Sequence, residues 1–74
     1  MKPVDTKRVR RALQRRECER VGIEGSHEKW RTPGGLAVTI VASEKQQSPG
    51  LLRVVQQTFE SELGTGWLDK ELNR

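Results

Sequence analysis

The chain is 74 residues long, and apolar and charged side chains each make up 32% of it. A domain of this size buries only about 60% of the surface its unfolded chain exposes, which allows one thin core and no second domain. A single cysteine, Cys18, excludes an internal disulfide, and with one histidine, His27, it leaves no ligand set for a structural zinc. The longest apolar run, Leu36 to Ala42, is broken by Thr39 and falls far short of the roughly 20 residues a bilayer span needs. Met1-Lys2-Pro3 leads directly into charged residues without the apolar stretch of a secretory signal, so a cytoplasmic location is expected.

The net charge of +4 is unevenly placed: residues 1–31 hold ten basic side chains against five acidic ones, residues 32–74 four against five. Clustered arginine on a basic chain is the electrostatic footprint of a nucleic-acid binder, although solubilising charge gives the same composition.

Residues 5–17 are expected to form a helix that Asp5 or Thr6 caps, with Val9, Ala12 and Leu13 on one stripe. Arg8, Arg11 and Arg15 then line the opposite side with Lys7 beside them, while Arg16 lies at the apolar edge and lays its stem over it. The arginine row suits RNA phosphates, and equally a solvated helix face. Cys18 to Ile23 alternates weakly and predicts a short strand ending at the turn Glu24-Gly25. His27 to Thr32 predicts a second strand, Pro33-Gly34-Gly35 a tight turn, and the β-branched run within Leu36 to Ala42 a third. Ser43 to Gln47 reads as a polar loop.

Ser48-Pro49 supplies an N-cap followed by proline at the first helical position. Leu51, Leu52, Val55, Phe59 and Leu63 recur at helical spacing, which predicts a helix over 49–63 ending near Gly64. Gly64-Thr65-Gly66 reads as a hinge, and Trp67, Leu68 and Leu72 of the tail either dock on the domain or meet another chain. The expected order is α-β-β-β-α: an α+β domain over residues 1–63, two helices on one face of a three-stranded antiparallel sheet, and a tail over 64–74.

The densest chemistry lies in Gly25-Ser26-His27-Glu28-Lys29-Trp30-Arg31. Strand alternation places His27, Lys29 and Arg31 on one face and Glu28 and Trp30 on the other. A side chain that titrates near neutral pH, flanked by two fixed cations, is suited to binding a phosphodiester and moving a proton at it. A solvated surface histidine gives the same pattern. Trp30, on the opposite face, is expected in the core, with base stacking as its other use. Lys45, with the start of the second helix near Ser48 and Gly50, forms a candidate second anion site, less one donor at Pro49.

Over residues 5–60 the chain resembles the HicA family of toxins, mRNA interferases with a fold like the double-stranded-RNA-binding domain. The resemblance rests on Gly25-Ser26-His27 with Trp30 three residues on, on Pro33-Gly34-Gly35 leading into Val38-Thr39-Ile40, and on Gly50-Leu51-Leu52-Arg53. It implies that His27 is the catalytic residue of a metal-independent endoribonuclease with no cofactor. It implies also that mRNA is the substrate and that a HicB-type antitoxin is the partner; the RNA contacts expected in this chain are Ser26, Lys29, Arg31, Arg8, Arg11, Arg15 and Lys45.

The chain departs from the family pattern in three places. Glu17-Cys18 replaces the usual Gly-aromatic pair, so Cys18 is expected to be inert packing rather than a redox site. Gly22-Ile23-Glu24 stand where Arg-Gln-Lys is usual, and Val41 and Ser43 where a proline and a second histidine are common. A non-catalytic RNA-binding module of the same fold is the alternative expectation, and a structural domain with merely solvating charge a third.

Overall fold

A two-residue strand, β1 (Val4–Asp5), precedes the first helix, α1 (Thr6–Arg15), in the computed structural model, which describes residues 2–74. Val9, Ala12 and Leu13 form the buried stripe of α1. Asp5 is the residue before the helix, but its side chain caps nothing; it belongs to β1 instead. The helix closes with the amide of Cys18 donating to Leu13 O at 3.0 Å and that of Glu17 to Gln14 O at 3.0 Å. This is a Schellman ending, and it puts Glu17 in the left-handed region at φ 62.

Three strands follow: β2 (Glu19–Glu24), β3 (His27–Arg31) and β4 (Ala37–Val41), antiparallel in the order β2-β3-β4. Glu24 pairs with His27 across the two-residue turn Gly25-Ser26, which works because Gly25 takes φ 60. The ladder is bulged between Arg20 and Gly22, and every residue of β2 is exposed. The β3–β4 turn is held by Glu62, whose carboxylate accepts from the Thr32 hydroxyl and, at 2.8 Å, from the Gly34 amide.

The expected loop over Ser43 to Gln47 contains a further strand, β5 (Gln46–Gln47), paired antiparallel with β1. Its cause is the buried carboxamide of Gln47. This group accepts from the Val41 amide at 3.0 Å and donates at 2.8 Å both to Val41 O and to the Thr6 hydroxyl, continuing the edge of β4 with a side chain. The Thr6 amide donates to Lys45 O at 2.8 Å and ties the start of α1 to the same segment.

The second helix, α2 (Pro49–Leu63), starts where Ser48 Oγ accepts from the Leu51 amide at 3.2 Å and buries Leu52, Val55 and Phe59. Residues 67–72 are a third helix, α3 (Trp67–Leu72), not a loose tail, and the boundary after residue 63 marks the end of α2 rather than the end of the core. Trp67 and Leu68 are fully buried in the cluster that includes Leu13, Trp30, Ile40 and Phe59. The Trp67 indole stacks on Phe59 with ring centroids 5.9 Å apart and donates to Gln56 O at 3.0 Å. The Gln56 side chain accepts from the Asp69 amide at 2.8 Å, and the Arg16 guanidinium donates to Leu63 O at 2.8 Å. Of the two roles open to Trp67, docking on its own domain is the one observed. The fold is α+β, with its helices against the inward face of the three-stranded sheet.

Candidate functional site

The burial of β3 alternates residue by residue: His27, Lys29 and Arg31 are exposed and Glu28 and Trp30 buried. The outward face of the strand thus carries one imidazole and two cations, and the register sets Val41, Thr39 and Ala37 of β4 directly opposite them. On the other side Glu24 lies opposite His27 and Gly22 opposite Lys29. Gly22 has no side chain, and His27, Lys29, Thr39, Ile23 and Glu24 surround a shallow depression of about 200 Å³. It is small and open, with Lys29 and Glu24 among its lining residues, so it fits a phosphodiester passing over the sheet better than an enclosed small molecule. Ser26 is half-buried in the turn, and its carbonyl accepts from the Ala42 amide at 2.6 Å, fixing the end of the hairpin that carries His27.

Beneath this face lies a residue that the sequence reading placed on the inward side without giving it a part. Glu28 is fully buried. Its carboxylate accepts from Arg10 Nε at 3.0 Å, Arg10 Nη2 at 3.1 Å and the Trp30 indole at 2.7 Å, with Arg20 at 3.7 Å. Burial alone would raise the Glu28 carboxyl, but the hydrogen bonds from Arg10 and Trp30, with the charges of Arg10 and Arg20, outweigh it and hold the group below its usual range. Glu28 therefore joins β3 to α1 and β2 immediately behind His27. An acidic residue at an inward position of an alternating strand was the signal available in the sequence.

The remaining basic residues are not gathered around His27. Arg8, Arg11 and Arg15 are exposed on the side of α1 away from the core, where with Glu71, Leu72 and Arg74 they line a cleft between α1 and α3. The Arg8 guanidinium donates to Leu72 O at the end of α3, so one member of the row is already engaged within the protein. The helices cover the inward face of the sheet, and the arginine row and the His27 face therefore look out from opposite sides of the molecule. Lys45 lies at a third place, beside the start of α2. There the Leu51 amide is taken by Ser48, which removes a second donor, after Pro49, from the anticipated anion site.

Cys18 is buried, and its thiol is pushed up to about 11, first by burial and then by the charge of Glu62. It behaves as packing. Among the described residues no group of three or more His, Cys, Asp and Glu side chains is placed to hold a metal ion, and no helix is long and apolar enough to cross a membrane. Compared with known proteins, the chain matches no family model, no curated protein and no solved structure.

Proposed function

We propose that the chain is an endoribonuclease of the HicA toxin type, acting on mRNA in the cytoplasm with His27 as its catalytic base and without a metal. The single observation carrying this reading is the exposed face of β3, which carries His27, Lys29 and Arg31, the first two lining an open depression. In the proposed reaction His27 takes the proton from a ribose 2′-hydroxyl. The 2′-oxygen bonds to the adjacent phosphorus while the bond from phosphorus to the 5′-oxygen breaks, leaving a 2′,3′-cyclic phosphate and a 5′-hydroxyl. Lys29 and Arg31 offset the charge that develops on the phosphoryl oxygens.

The leaving 5′-oxygen takes its proton from water or from Lys29, because the chain has no second histidine and no tyrosine. Slow turnover follows. A basic toxin of this kind is held inactive by a HicB-type antitoxin, and an acidic partner surface laid over His27, Lys29 and Arg31 fits the charge. The test is RNA cleavage with chelator present, comparing the parent with His27→Ala. Loss of at least 100-fold in rate is expected, the lower end of what a positioned general base contributes. Equal rates would leave an RNA-binding module and no catalytic role for His27.

A further inference from the structure

We infer that the groove beside β4, between the β1–β5 pair and the start of α2, receives the nucleobase next to the scissile phosphate; this rests on the RNA-cleaving reading above. The depression at His27 holds about 200 Å³, enough for a phosphate and too little for a nucleoside. The neighbouring groove is larger, about 780 Å³, with Pro3, Val41, Pro49 and Leu51 as apolar walls and both Glu44 and Lys45 at its rim. It lies within the size range in which whole small ligands are held.

Val41 connects the two. It is the direct cross-strand partner of His27, so both side chains leave the same face of the sheet with Cβ atoms about 4.5–5.5 Å apart, and it also forms a wall of the groove. A strand of RNA with a phosphorus over His27 and Lys29 passes over Val41 and enters the groove with its next base.

The groove's polar groups divide into used and unused. The Gln47 carboxamide is fully occupied by Val41 and Thr6 and cannot read a base. Ser48 Oγ accepts from the Leu51 amide and keeps its own O–H as a donor. Gln46 gives one N–H to Asp5 at 3.2 Å and keeps its amide oxygen for a base edge. Lys45 is exposed and takes part in no ion pair among the described residues, which leaves its ammonium for the phosphate on the far side of that base. The site therefore combines an apolar slot, one acceptor and one donor of Gln46 with the Ser48 O–H for a base edge, and one phosphate contact, and it gives the enzyme a base preference on one side of the cut.

The experiment titrates the isotopically labelled chain with a single-stranded RNA hexamer methylated at every 2′-oxygen, which binds but cannot be cleaved, and follows backbone amide shifts. The amides of Lys45, Gln46 and Gly50 are expected to move together with those of His27 and Lys29. Lys45→Gln is expected to reduce the slope of log affinity against log salt by about 0.7, the value for one single-strand phosphate. Gln46→Ala, which removes the base-edge group from an exposed position, is expected to weaken hexamer binding by about fivefold while leaving the melting temperature unchanged. Shifts confined to His27, Lys29 and Arg31, with Gln46→Ala binding as the parent does, would overturn the groove assignment and leave the cleavage reading in place. Shifts at neither place would overturn both.

Discussion

Glu17 holds φ 62 at the end of α1, a conformation that costs an L-residue about 1–2 kcal/mol relative to glycine. The Schellman hydrogen bonds of Glu17 and Cys18 fix that conformation and do not depend on the side chain, so Glu17→Gly is expected to stabilise the protein by about 1 kcal/mol. A melting temperature raised by roughly 4–8 °C would show it, and an unchanged or lower one would contradict it. Glu28 makes the opposite case. Because its folded value lies below that of the unfolded chain, its contribution is complete above the ordinary glutamate range near pH 4.3 and is lost as the pH falls through the lower folded value. Thermal melts at decreasing pH should lose stability over that window, and Glu28→Gln should flatten the loss. Glu28→Ala is expected to cost about 1.5–3 kcal/mol, the worth of hydrogen bonds to a charged group, because Arg10 keeps 31% of its side chain in water and can rehydrate. The alternation that separates His27, Lys29 and Arg31 from Glu28 and Trp30 was legible in the sequence, since it depends only on the pleat of one strand. The partners of Glu28 were not, because Arg10 lies 18 residues away and reaches it through the packing of α1 on the sheet.

At the level of elements, the long amphipathic helix and the strand that starts at Ala37 declare themselves because capping, hydrophobic spacing and β-branching are local signals. The three elements that the pattern missed, β1, β5 and α3, are short, and all are fixed by distant contacts. β5 exists because one glutamine side chain completes the edge of β4. α3 has two glycines before it, and Gly66 at φ 69 turns the chain so that Trp67 falls onto Phe59. A six-residue helix has no independent stability, so α3 is present only because Trp67, Leu68 and Leu72 are buried. Trp67→Ala is accordingly expected to cost about 3–5 kcal/mol, most of what a domain this small has. Urea unfolding monitored by circular dichroism would detect this as a large drop in midpoint, and a midpoint near that of the parent would mean that α3 is dispensable.

Across the whole molecule, the two basic clusters within residues 1–31 lie on different faces. The protein extends 30 × 27 × 18 Å, with His27, Lys29 and Arg31 outside the sheet and Arg8, Arg11 and Arg15 on the helical side. Linear sequence could show that these groups were basic but not that the fold would turn them apart, because that depends on which side of the sheet α1 covers. A short RNA cannot occupy both faces at once. Arg11→Gln with Arg15→Gln is therefore expected to leave cleavage of a six-nucleotide substrate within twofold of the parent, while reducing affinity for long RNA in a salt-dependent way. A matching loss on the short substrate would place the arginine row at the reacting strand.

The parity of apolar and charged residues at the outset also takes a spatial form: the small core is completed by α3, and two clusters of basic side chains lie on different outer faces, one of which is proposed to carry the chemistry. The most direct test of that proposal is the structure of the product ends. Mass spectrometry of a defined RNA cut by the parent protein should find 2′,3′-cyclic phosphate on the upstream fragment and 5′-hydroxyl on the downstream one, with no cutting where a single 2′-deoxy residue replaces the attacking ribose. Fragments ending in 3′-hydroxyl and 5′-phosphate, or cutting that survives the 2′-deoxy replacement, would contradict proton abstraction from the 2′-hydroxyl by His27.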